Sequence, residues 1–162
     1  MRQKGVSFIE ILVVIAIFAI LGVLVARITL VTLRGSNRSD SLVRVRENLD
    51  FSLAVMERGI RNAGAVNPCP NPDTNTLSYT DADGVSTSFS CVNVGATGYV
   101  ASGSARLTTD EIKIISCSIS CTQGAGAVPP SVTISLEAAD ARATGIEAAK
   151  ATATTKIFLR TY

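Results

Sequence analysis

The chain has 162 residues, of which 47% are hydrophobic, 17% charged and 5% aromatic, and its mean hydropathy is +0.35. That length holds one ordinary domain, and the absence of histidine excludes Ser-His-Asp and Cys-His nucleophile pairs and every His-ligated metal site. A formal net charge of +2 is too small to argue for nucleic acid by itself.

Met1-Arg2-Gln3-Lys4-Gly5 is a short basic leader. From Val6 to Ala26 there are 21 residues, and Glu10 is the only charged one. A helix of that length spans roughly 30 Å, the thickness of a hydrocarbon core. Arg2 and Lys4 place the N-terminus in the cytoplasm by the positive-inside rule. A secretory signal peptide would carry a shorter apolar run and a small-residue cleavage site after it. Neither Ile20-Leu21-Gly22 nor Val25-Ala26-Arg27 supplies such a site. Glu10 is the informative residue, because a carboxylate in a membrane span costs about 2.5–3.5 kcal/mol on insertion scales and calls for a partner. No cation lies within residues 6–26. Cutting the chain after Gly5 would expose an α-amino group one helical turn from Glu10, and a neighbouring copy of the helix could present that group better.

Lys4-Gly5-Val6-Ser7-Phe8-Ile9-Glu10-Ile11-Leu12-Val13-Val14-Ile15-Ala16-Ile17 resembles the class III leader of type IV pilins and type II secretion pseudopilins. In that family a prepilin peptidase cuts after the Gly and methylates the new N-terminus, and the fifth mature residue is Glu. The resemblance therefore implies that Gly5 precedes the scissile bond, that Val6 is the N-methylated terminus, and that Glu10 is the assembly glutamate. Val6 stands where Phe is usual and Ser7 where Thr is usual. The resemblance also implies an α+β pilin fold, with a long N-terminal helix packed on an antiparallel β-sheet. Its parts are a cleaved leader (1–5), a transmembrane and assembly half-helix (6–27), an amphipathic half-helix (28–64) and an extracytoplasmic sheet domain (65–162).

Past the apolar run, Leu42, Val45, Leu49, Leu53, Met56, Ile60 and Ala63 recur at helical spacing and form one apolar stripe. Gly35-Ser36-Asn37 is its weak point, since Gly and Asn are poor helix formers. Gly64 reads as the stop, and Pro68, Pro70 and Pro72 prevent continuation. Leu77–Thr80 and Val85–Cys91 read as a hairpin around Asp81-Ala82-Asp83-Gly84. The same aspartates could open a calcium loop, but the position of the closing acidic ligand is Val92, so the turn is preferred and no metal is assigned. Further strands are expected at Gly98–Ala101, Glu111–Cys117, Val132–Leu136 and Ala153–Arg160. The Ala-rich stretch 138–152 reads as a long excursion with room for a helical part. Asn48–Gly64, the hairpin and the closing Phe158–Tyr162 resemble PilW-like and J-type minor subunits.

Cys69, Cys91, Cys117 and Cys121 all lie beyond the span, where an even count favours two disulfides. Four cysteines allow three pairings. Cys69 and Cys91 meet if the Pro-rich stretch doubles back, leaving Cys117 to pair with Cys121. That second bond needs a turn at Ser118-Ile119-Ser120, because an i,i+4 pair in a strand is about 13 Å apart. A four-cysteine metal site lacks the paired Cys-x-x-Cys spacing.

The expected function is that of a structural minor pilin or pseudopilin subunit, without catalysis or cofactor. It would be held in the cytoplasmic membrane and assembled into a type IV pilus-like or type II secretion filament, in its initiating or tip complex. Expected partners are other pilin-like subunits, the prepilin peptidase and the inner-membrane assembly platform. Arg27, Arg34, Arg38, Arg44 and Arg46 could contact DNA, but headgroup and inter-subunit contact is the preferred role. The alternative is a membrane-anchored receptor or adhesin that never polymerises, which would keep its leader.

Overall fold

The computed structural model describes residues 7–67, 69–126, 128–143 and 148–159. Among these residues one helix, α1, runs from Phe8 to Arg61 and is followed by nine strands. The Ser7 carbonyl accepts from the Glu10 and Ile11 amides (3.0 and 3.3 Å), closing the first turn. The chain divides into two compact units, the first ending at Asn37 and the second running from Arg38 to Tyr162. Helix continues through Gly35-Ser36-Asn37, so the poor helix formers interrupt nothing, and they sit where the two units meet in the sequence.

In the second unit the strands form two antiparallel sheets rather than the single sheet expected. The first orders β1 (Ala65–Val66), β3 (Thr76–Thr80), β4 (Ser86–Val92), β5 (Tyr99–Ser102) and β6 (Ala105–Arg106). The second orders β2 (Asn71–Thr74), β7 (Ile112–Thr122), β8 (Ser131–Asp140) and β9 (Lys150–Phe158). The apolar stripe of α1 buries Val45, Leu49, Leu53, Met56 and Ile60 against both. Leu77, Tyr79, Phe89 and Val100 meet it from the first sheet, and Ile114, Ile119, Ile134, Leu136 and Ile157 from the second. Leu42 and Ala63, the ends of the stripe, are only half-buried. Gly59 lets the helix lie close on the first sheet: a Cβ there would lie 2.9 Å from Phe89 Cζ, and Phe89 stacks on Tyr79 with centroids 5.0 Å apart.

The helix ends at Arg61, three residues short of the expected stop, because the Gly64 amide is captured by the Thr80 carbonyl of β3 at 2.9 Å. The hairpin forms as read, with Leu77 opposite Phe89 and Gly84 at φ 82°. Asp81 Oδ1 accepts from the Asp83 and Val85 amides, both at 2.9 Å, so this carboxylate builds the turn.

The strands at 99–102, 112–122, 131–140 and 150–158 stand near their expected places, but the last three are longer or shifted. Ala138-Ala139-Asp140 stays in β8, and β9 begins at Lys150, so the expected Ala-rich excursion shrinks to 141–149. Ala is a weak strand former, but here β8 is paired on both sides, and ladder bonds and burial override propensity. Residues 144–147 of that stretch and 160–162 of the expected last strand lie outside the described residues. A bulge between Ile114 and Ser116 switches the buried face of β7 from Ile112 and Ile114 to Ile119 and Cys121. Even the Pro-rich stretch contributes a strand: β2, containing Pro72, pairs only with β7 at the sheet edge, where a missing N–H is tolerated.

Candidate functional site

Gly5 and Val6, read as the processing site, lie outside the described residues. Glu10 lies in the first turn of α1, where the aligned peptide dipoles favour a negative charge. Its side chain is exposed, and among the described residues no ion pair includes it. The helix around it is apolar on every side. Phe8 is 78% exposed and Phe18 70%, and Ile11, Ile15, Leu21, Leu24, Ile28 and Leu33 are all exposed. This stretch is long and apolar enough to cross a membrane, and none of it is buried within the chain. Such a surface requires lipid or protein around it. The hydroxyls of Thr29 and Thr32 donate to the Val25 and Ile28 carbonyls, each at 2.9 Å, so they need no water.

The four cysteines form two disulfides, as expected, but in neither of the pairs considered above. Cys69 joins Cys121, and Cys91 joins Cys117. β7 runs straight through Ser118-Ile119-Ser120, so no turn brings Cys117 to Cys121. Asn71 pairs with Cys121 across the β2–β7 ladder, which carries Cys69 to within a Cα distance of 5.3 Å. Cys91 lies on β4 and Cys117 on β7, so their bond ties one sheet to the other.

The five arginines considered for DNA or headgroups do not act alike. Arg27, Arg34, Arg38 and Arg46 are exposed. Arg44 instead donates to Asp140 Oδ2 at 2.9 Å. Asp140, at the end of β8, is 1% exposed, and its Oδ1 accepts from the Arg142 and Ala143 amides at 2.7 and 3.1 Å. Ser41, buried one turn below Arg44, accepts from the Ala149 amide at 3.1 Å. Sequence reasoning missed this node; its one signal was an aspartate directly after an apolar Ala-Ala pair, where a strand would bury it. Burial pushes the Asp140 carboxyl up, but hydrogen bonds from Ser41, Arg44 and the two amides outweigh it and hold it well below the usual range. The bond to Asp140 raises the Arg44 guanidinium.

A carboxyl depressed on folding stabilises fully above its unfolded pKa of about 3.9, and that contribution is lost as the pH falls through the lower native value. Asp140→Asn should therefore cost about 2–3 kcal/mol near neutrality, through lost charge-assisted bonds in a buried site. The gap from wild type should close below about pH 4. Urea unfolding of the protein in detergent, across that pH range, measures it. An unchanged gap at acid pH would show that Asp140 is not the titrating group.

A single apolar N-terminal helix, packed through its second half on two antiparallel sheets, defines an α+β, pilin-like protein. Residues 1–26 match the family model for the prokaryotic N-terminal methylation motif. That motif supports a type IV pilin or pseudopilin precursor and, with the apolar helix, fits a membrane-anchored protein; it implies processing by prepilin peptidase and assembly with other pilin subunits. No curated protein and no solved structure gives a significant match to the chain.

Proposed function

We propose that the chain is a structural minor pilin or pseudopilin subunit with no catalysis of its own. The observation that carries this reading is Glu10: one carboxylate in an exposed, otherwise apolar helix, the fifth residue after the junction at which the methylation motif implies cleavage. Prepilin peptidase cuts between Gly5 and Val6 and the Val6 amine is methylated. Until assembly the subunit stays in the cytoplasmic membrane with its N-terminus inside, held by residues 6–27. The assembly platform then transfers it into a type IV pilus-like or type II secretion filament. The likeness of Asn48–Gly64 and of the hairpin to PilW-like and J-type subunits supports a place in the initiating or tip complex, with other minor subunits. The small net charge and the engagement of Arg44 with Asp140 favour subunit and headgroup contacts over DNA for the arginines.

Intact mass of the protein recovered from membranes tests the reading. The expected species lacks Met1–Gly5 and carries one methyl group on Val6. A protein that keeps its leader in cells with an active prepilin peptidase replaces this reading with a non-polymerising anchored receptor or adhesin.

A further inference from the structure

Three of the four sheet edges are blunted: β1 and β6 are two residues long, and β2 is four and contains Pro72. The fourth, β9, is nine residues long and pairs with β8 alone. Its ladder is regular from Ser131–Phe158 to Ala139–Lys150. The Asp140 amide donates to the Ala149 carbonyl, and the Leu159 amide to the Pro130 carbonyl, so odd-numbered residues direct their backbone groups toward β8. Lys150, Thr152, Thr154, Lys156 and Phe158 therefore turn their N–H and C=O groups outward. Among the described residues none of these groups makes another backbone hydrogen bond. The same five side chains are exposed on one face. Lys156 lies over the Phe158 ring at 5.4 Å, and Thr154 Oγ1 bonds Ser135 Oγ at 3.0 Å across a non-hydrogen-bonded pair. Along this edge a groove of about 480 Å³ is lined by Lys150, Ala151, Thr152 and Ala153 of β9 and by Arg46, Leu49 and Asp50 of α1.

We propose that this edge is a docking strand for an extended, acidic segment of another polypeptide, added antiparallel to β9. The backbone groups supply the ladder, as in β-augmentation. Charge selects the occupant. Lys150 and Lys156 are the only charged side chains of β9, and both are positive. A second copy of β9 is disfavoured: the longest antiparallel register through outward-facing residues, centred on Thr154, sets Lys150 of one strand diagonal to Lys156 of the other, and the register that pairs Lys150 with Lys156 sets them opposite. Like charges so placed repel, and carboxylates there attract. Edge lysines are also a known device against self-pairing. The small Ala151 and Ala153 leave room for apolar side chains of the added strand beside Leu49. This contact goes beyond the assembly reading, because it involves neither the leader nor residues 6–27.

The test uses the full chain in detergent and a labelled peptide alternating valine with threonine. Glutamate occupies the two positions that would face Lys150 and Lys156, and a control carries lysine there. Anisotropy should show binding of the glutamate peptide, with the lysine peptide weaker by about tenfold. Lys150→Glu with Lys156→Glu should reverse that preference. Thr154→Pro removes an outward N–H, no backbone bond to β8 and only the exposed side-chain bond to Ser135, so it should abolish binding while both disulfides and the helix signal persist. If that variant loses its disulfides, the charge reversal decides alone. No binding of either peptide, equal binding of both, or wild-type binding by a folded Thr154→Pro variant would overturn the proposal. So would a photo-crosslink from position 152 joining two copies of this chain.

Discussion

Glu10→Ala is expected to leave membrane insertion intact or improved while incorporation into filaments falls by about tenfold or more, the factor that about 1.4 kcal/mol per subunit produces. The two halves of this result have one cause. In the lone subunit the carboxylate is a burden of about 2.5–3.5 kcal/mol inside a span. Among the described residues no ion pair includes it, and no Lys or Arg occurs between Ser7 and Ala26. The N-terminal amine of a neighbouring processed subunit would supply one. In a bundle of apolar helices a matched pair is held and an unpaired charge costs several kcal/mol. Glu10→Gln separates charge from size, and it should fail to assemble as Ala does. Incorporation is read by immunoblot of sheared filaments against membrane fractions. Normal incorporation of both variants would make Glu10 an incidental polar residue in an anchor.

Loss of the two disulfides should be the largest change in stability. By loop-closure entropy, the Cys69–Cys121 bond, closing a separation of 52 residues, contributes about 4 kcal/mol, and Cys91–Cys117, with a separation of 26, about 3.5 kcal/mol. For a domain of this size either figure is a large fraction of the total. The two losses should differ in character. Replacing Cys91 and Cys117 by serine removes the covalent tie between the sheets, leaving the helix core to hold them together. Replacing Cys69 and Cys121 frees the Pro-rich β2 from β7, at an edge where the ladder is short. Urea unfolding of each double variant gives the magnitudes. Peptide mapping without reduction gives the pairing, and a linked Cys117–Cys121 peptide would defeat the connectivity described here.

Several elements were legible in the sequence because their causes are local. The uninterrupted apolar run with one glutamate fixes a span and its peculiarity within a few turns of chain. The stripe Val45, Leu49, Leu53, Met56 and Ile60 needs only the helical period, and its members are the buried helix residues. The Asp81–Gly84 turn follows from side-chain-to-backbone bonding over four residues. Ala138-Ala139-Asp140 shows the opposite case. Its local preference is not for strand, yet neighbours on both sides hold it there.

What the sequence determined by itself is thus a processed-leader motif, a membrane-length helix, an amphipathic continuation, a central hairpin and two disulfides of open pairing. The tertiary structure alone decided which cysteines pair, how many sheets form, where Arg44 goes and which strand edge is left open. Cysteine pairing depended on β7 staying extended and on a ladder joining residues 50 apart in sequence, Asn71 and Cys121. The Arg44–Asp140 bond joins groups 96 residues apart, and no periodicity encodes it. Contacts of that range are fixed by packing and register, which are properties of the whole fold rather than of any window along the chain.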